Sequence, residues 1–230
     1  MNFKSHFSGS AGNLYTVELS SGATVGIEAG VTWTATTQAL KGVLPGLFCV
    51  SHEHGDHARC VGKLLRHGVD VLMSPGTADA LGVADHHRVC TDDVVIDGRL
   101  SVRRFAVRHD AAEPCGFIFS EGDERLFFAS DTGPILLPPG VPSYDIIAIE
   151  CNYQAEYLIE ADVWKKQRIS KNHLGLSGVM AFLGTADLSR TREIHLIHGS
   201  ESHSNPGECI KGVEMETGVP TFWAGKREES

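Results

Sequence analysis

Seven residues constrain this chain more than any others: Ser51-His52-Glu53-His54-Gly55-Asp56-His57, directly after the apolar run Gly46 to Ser51. Four side chains able to bind a metal, His52, His54, Asp56 and His57, fall within six residues. In an extended loop alternate residues point the same way, so His52 and His54 can share one cation. Asp56 and His57 stand where the loop turns into a helix and can face a second. Imidazole with carboxylate suits zinc, and also manganese or iron. A lone histidine is usually structural, but four ligands at HxHxDH spacing read as a site.

One loop cannot complete two coordination shells, so further His and Asp ligands are expected at later strand ends. His109 follows the strand Leu100 to Val107, Asp131 follows Leu126-Phe127-Phe128-Ala129, and His198 ends the run Ile194 to Ile197. An aspartate between two cations can give one oxygen to each, which makes Asp131 the candidate bridge. Alone, a strand-end Asp is often only a turn former. His195 should face the opposite side of its strand from His198 and is excluded as a ligand. His203 reads as loop.

Around these residues the pattern predicts strands at Leu14 to Leu19, Thr24 to Glu28, Val69 to Met73, Leu100 to Val107, Gly116 to Phe119, Arg125 to Ala129, Asp145 to Glu150 and Glu193 to His198. Helices are predicted at Thr34 to Lys41, His57 to His67, Gly76 to Leu81, Leu176 to Leu183 and Pro206 to Thr217. Strands and helices in both halves suggest sheets inside and helices outside. With 230 residues and no linker or repeat, residues 1–230 are expected to form one domain. The tail from Lys226 to Ser230 looks frayed.

The ligand order resembles the metallo-β-lactamase superfamily, which implies an α/β fold, a four-layer αββα sandwich. More narrowly, Ser8-Gly9-Ser10-Ala11-Gly12-Asn13, the segment from His109 to Phe117 and Asn172-His173-Leu174 resemble its YycJ/WalJ-like branch. That branch occurs in bacteria and in bacteriophages and is related to RNase Z and to PhnP-type phosphodiesterases. The resemblance implies that His52, His54 and His109 bind a first divalent metal, Asp56, His57 and His198 a second, zinc or manganese, and that Asp131 bridges them. It implies catalytic roles for Asp56, as proton acceptor from the attacking water, and for His173, against the scissile phosphate or the leaving oxygen. His173 can otherwise be a capping histidine before the helix at Leu176. Two positions depart from the branch. Glu28 stands where an Asp is usual, which allows a role behind the metals. Tyr153 replaces a usual histidine in Glu150-Cys151-Asn152-Tyr153 and can alter specificity.

The implied activity is metal-dependent phosphodiester hydrolysis, first as a nuclease on DNA or RNA ends or short single strands. A cyclic nucleotide phosphodiesterase is the second choice, and a thioester or lactone hydrolase of the glyoxalase II type the third. A binding module without activity would be expected to lack ligands, and none is missing. A net charge of −9 argues against wrapping a long duplex, although bound dications would make the site itself positive. Only 66 residues lie between Asp131 and His198, too few for a large inserted domain. Two basic clusters, Lys165, Lys166, Arg168 and Lys171, and Arg103, Arg104 and Arg108, are either solvated faces or substrate contacts. His86-His87-Arg88 is either a surface turn or a phosphate contact. The cysteines form no CxxC pair, and no apolar stretch is long enough to span a membrane. With no signal peptide visible, a cytoplasmic protein with reduced thiols is expected (in the host cytoplasm if phage-encoded). Relatives of this kind often dimerise, so a homodimer is expected by analogy.

Overall fold

Several strands carry runs of consecutive apolar residues, which demand cover on both faces. In Ile146–Glu150, for example, all five residues are buried. The computed structural model describes residues 1–83, 88–89, 93–96, 98–135, 143–158 and 162–225, and it supplies that cover with two mixed sheets packed face to face. The first sheet runs in chain order: β1 (Asn2–Phe7), β2 (Leu14–Glu18), β3 (Thr24–Ile27), β4 (Leu47–Cys49), β5 (Asp70–Leu72) and β6 (Arg88–Val89). The second contains β7 (Asp93–Ile96), β8 (Leu100–Ala106), β9 (Cys115–Glu121), β10 (Glu124–Ala129), β11 (Ile146–Glu150), β12 (Glu193–Ile197) and β13 (Thr221–Trp223), again in sequential order. The helices are α1 (Trp33–Ala39), α2 (Gly55–Ala58), α3 (Val61–Arg66), α4 (Pro75–Ala80), α5 (Val163–Asn172), α6 (Leu176–Leu183) and α7 (Pro206–Thr217).

Side-chain alternation builds the layers. Leu126 and Phe128 of β10 and Ile146 and Ala148 of β11 turn inward, against Tyr15, Val17 and Ile27 of the first sheet. Phe127, Ile147 and Ile149 turn outward and pack under Val179, Phe182 and Val213 of α6 and α7. On the other flank Phe48, Val50 and Val71 pack under Val61 and Leu64 of α3 and Ala78 of α4. The expected αββα order is therefore present. No described helix is long and apolar enough to cross a membrane.

The structure differs from the sequence pattern at several elements: β6, β7 and β13 are unpredicted strands, and three further differences have a physical reason. The helix expected over His57 to His67 is two short helices, α2 and α3. The Ala29 N–H donates to the His57 carbonyl at 2.7 Å, and the Cys60 N–H donates back to Ala29 at 2.8 Å. The loop after β3 thus claims backbone groups that a continuous helix would use. Helix α5 shows in the sequence only as a charge cluster, because its apolar positions are too few to set a helical period. Strand β1 is absent from the predicted strands, yet it pairs antiparallel with β2 and contributes Phe3 to the core. His86, His87, Cys90 and residues 226–230 lie outside the described residues.

Candidate metal centre

Parallel pairing brings the carboxyl ends of the inner strands level. Ile27 pairs with Cys49 across β3 and β4, Ala129 with Ile149 across β10 and β11, and Glu150 with Ile197 across β11 and β12. Loops leaving such ends are the usual place for ligand-binding groups in α/β sheets. Here they deliver Glu28, the segment from Ser51 to His57, Asp131 and His198, while Glu150 is itself the last residue of β11. Glu28, Asp131 and His198 adopt left-handed φ values of 61°, 46° and 53°. Non-glycine residues enter that region at a cost, and such residues cluster at functional sites.

Asp131 is 3 % exposed and lies at the centre. Its Oδ2 is 3.5 Å from His52 Nε2, 3.2 Å from His57 Nε2 and 3.4 Å from His109 Nε2. Its Oδ1 is 2.8 Å from His198 Nδ1 but not aligned for a hydrogen bond, and 3.4 Å from His173 Nδ1. His54 Nδ1 faces His109 Nε2 at 3.2 Å. On the other side, Asp56 Oδ2 lies 3.5 Å from His57 Nε2 and 3.4 Å from His198 Nε2. The result is three groups of converging donors: His52, His54, His109 and Asp131, then Asp56, His57, Asp131 and His198, and finally Asp131, Glu150, His173 and His198, with Asp131 in all three.

The donor set fits divalent metals. The buried Nε2 of His52 has no hydrogen-bond partner, which is costly unless something else occupies its lone pair. Burial, reinforced by the neighbouring His57, pushes the His52 imidazole down to about 4 and keeps it neutral, as a ligand must be. His57 and His198 behave differently. Burial opposes their charge, but Asp131 outweighs it at both, helped by Glu28 at His57 and by Asp56 and Glu150 at His198, so both are raised well above the usual histidine range. Protons therefore hold these two rings to the carboxylates until a cation displaces them. Adding Zn²⁺ to the metal-free protein in weak buffer is expected to release protons, and apparent affinity should rise with pH. The sign follows because lowering the pH supplies the competitor for the same nitrogens. A pH-stat trace showing no release would mean that the rings are already neutral.

A cavity of about 530 Å³ opens beside this cluster, lined by Arg108, His109, Asp110, Pro134, Lys171 and others. His173 follows α5 directly and stacks on His198 with ring centroids 5.7 Å apart. His195 points elsewhere, between Phe3 and Phe222. His203 sits in a turn, with its Nδ1 3.0 Å from the hydroxyl oxygens of Ser200 and Ser202.

A family model described as "Beta-lactamase superfamily domain" matches residues 36–198, which include every donor named above. The chain belongs to the beta-lactamase superfamily. Exodeoxyribonuclease WalJ of Streptococcus pneumoniae is 29% identical over 220 residues, covering 86% of this chain and 81% of that protein. Among solved structures, the metallo-beta-lactamase fold protein YhfI of Bacillus subtilis superposes with a TM-score of 0.73 at 14% identity, covering 97% of this chain and 96% of that one. The short form of human tRNase Z superposes with a TM-score of 0.63 at 15% identity, covering 87% and 93%.

In this superfamily member the donors rest on residues outside the HxHxDH segment. Ser8 Oγ accepts from the His198 N–H at 2.8 Å and bonds the Tyr15 hydroxyl at 2.8 Å. The Asn13 amide donates to the Asp56 carbonyl at 3.1 Å. Glu28 Oε2 lies 3.4 Å from His57 Nδ1, so the longer side chain does reach behind the donors. His109 Nδ1 donates to the Asn172 carbonyl at 3.0 Å, which fixes its ring. Tyr153 sits with its ring against Gly175. Most consequential is Glu150. Its Oε2 accepts from the Thr132 and Leu174 N–H groups at 2.7 and 3.1 Å, and its Oε1 accepts from His173 Nδ1 at 2.7 Å. The sequence signal is an acid ending an apolar strand, as Asp131 nearly does. Glu150→Gln is expected to lower kcat on a phosphodiester about 10- to 100-fold with little change in KM, the usual effect of losing an orienting partner. A kcat within twofold of wild type would remove Glu150 from this role.

Proposed function

We propose that the chain is a dinuclear metal-dependent phosphodiesterase, a nuclease acting on nucleic-acid ends or short single strands. The observation that carries this reading is buried Asp131, common to the donor group of His52, His54 and His109 and to that of Asp56, His57 and His198. His52, His54 and His109 would hold one zinc or manganese ion and Asp56, His57 and His198 the other, with Asp131 able to serve both. When bound, two such ions lower the pKa of water from about 15.7 towards about 7 and neutralise charge building on the phosphate oxygens.

The remaining work falls to side chains. Asp56, with its side chain 22% exposed, is the donor that can accept a proton from the attacking water. Burial works against protonated His173, but the neighbouring Asp131 and Glu150 carboxylates outweigh it and hold the ring up to about 10 in the metal-free protein. With its Nδ1 held by the Glu150 carboxylate at 2.7 Å, the ring is placed to give a proton to the leaving oxygen. Arg108 and Lys171 stand on the rim of the adjoining cavity, where a nucleotide flanking the scissile bond would lie. The WalJ relative is an exodeoxyribonuclease, which favours DNA ends over cyclic nucleotides. The five described cysteines are free and buried, in keeping with a reducing cytoplasm. A homodimer belongs to this reading by analogy alone.

The test is hydrolysis of bis(p-nitrophenyl) phosphate by metal-stripped protein before and after adding Zn²⁺ or Mn²⁺. Turnover should appear only with metal. Its absence in protein shown to bind ions would move thioesters and lactones to the front.

A further inference from the structure

We infer that helix α5 is a landing track for a single strand of nucleic acid, with Trp164 as a stacking platform for a base and Arg168 and Lys171 as phosphate contacts leading into the metal centre. This rests on the phosphodiesterase reading and adds to it the form of the substrate.

Four observations converge on α5. First, Trp164 is 82% exposed, an unusual position for the largest side chain. Secondly, residues 164, 168 and 171 are spaced i, i+4, i+7 and so form one stripe along the helix. Trp164, Gln167, Arg168 and Lys171 on that stripe are all exposed, as are Val163 and Ser170 beside it, whereas Lys166 and Ile169 are partly covered and Asn172 is buried. Thirdly, α5 contains four Lys or Arg and no acid, in a chain where Asp and Glu outnumber Lys and Arg 29 to 20. Fourthly, its carboxyl end is built into the centre. Ser170, Lys171 and Asn172 line the cavity with Arg108, the Asn172 carbonyl holds His109, and His173 is the next residue.

The dimensions suit a strand of nucleic acid. Seven residues of helix advance about 10.5 Å, and a stacked strand advances about 3.4 Å per nucleotide, so the stripe spans roughly three nucleotides. An aromatic platform takes any base but needs an exposed base face, which a duplex withholds. Asp110 is the carboxylate on the cavity rim. It would turn the phosphates towards the Arg108 and Lys171 side.

The test is an anisotropy titration of labelled oligothymidylate, beside bis(p-nitrophenyl) phosphate turnover. Trp164→Ala should weaken oligothymidylate binding about tenfold, and Trp164→Phe should restore most of it. Arg168→Ala should reduce the slope of log affinity against log salt by about 0.7. The small diester does not reach the stripe, so its turnover should match wild type in all three variants. Unchanged oligothymidylate affinity in Trp164→Ala, with normal turnover of the small diester, overturns the track and spares the phosphodiesterase reading. The track is likewise overturned if Trp164→Ala alters only the mass seen by light scattering, which would assign the tryptophan to a contact between copies. Wild-type protein that hydrolyses no phosphodiester overturns the reading, and the track with it.

Discussion

Asp131→Ala is expected to lower metal-dependent phosphodiester turnover by roughly 10³-fold or more and to reduce the metal retained per chain. No other described side chain belongs to both principal donor groups. Its two oxygens lie within 3.5 Å of His52, His57, His109, His173 and His198. On the proposed reading, losing it would remove a ligand from each ion and the negative charge that would let two dications approach one another. Several kcal/mol of transition-state stabilisation are at stake, and each 1.36 kcal/mol is about tenfold in rate. In the metal-free protein the carboxylate also holds protons on His57 and His198, so the variant should lose affinity for protons at those rings as well. The checks are turnover of bis(p-nitrophenyl) phosphate and metal content by mass spectrometry, with circular dichroism to show that the fold survives. A variant keeping a tenth of wild-type turnover would show that Asp131 is not the shared ligand.

The donors are legible in the sequence because each is local to a feature of it. Four lie in one loop, His109 follows an alternating strand, and Asp131 and His198 follow apolar runs, so strand patterning locates them without knowledge of strand order. The four layers are legible for a similar reason, since strands such as Ile146–Glu150 are apolar on both faces. The support behind the donors is not, because its partners are distant in the chain. Ser8 meets His198 across 190 residues and Asn13 meets Asp56 across 43. No periodicity reports a contact of that kind, and a serine or asparagine beside glycines reads as a turn. Glu28 and Glu150 are the exceptions that sequence can reveal, because a carboxylate at the end of a buried strand has to be paired inside the fold. The break between α2 and α3 is hidden in the same way as the support, since it is made by Ala29 and not by any residue within the helical segment.

Gly30→Ala should be the most damaging small substitution near the site, with the melting temperature lowered by roughly 8–16 °C and metal binding weakened together with it. The reason is space. A Cβ at this position would lie 1.6 Å from the Asp56 carbonyl oxygen and 2.7 Å from the His57 nitrogen. The loop after β3 cannot simply retreat, because backbone hydrogen bonds tie it down on every side. Gly30 donates to Asn13 at 2.9 Å, Ala29 to His57 at 2.7 Å and Cys60 to Ala29 at 2.8 Å, while Asn13 donates to Asp56 at 2.8 Å. Overpacking costs about 1–3 kcal/mol, and each bond broken in relieving it adds about 1 kcal/mol. A total near 4 kcal/mol gives the stated shift at about 2–4 °C per kcal/mol for a chain of this size. The displaced residues are the ones that carry Asp56 and His57, so stability and metal affinity should fall in parallel. Gly212→Ala in α7 is the control. Its Cβ meets nothing within 4 Å, and a helical glycine replaced by alanine should gain about 0.5–1 kcal/mol. If both variants melt within two or so degrees of wild type, the close approach of Gly30 to Asp56 is not what holds the metal-binding loop in place.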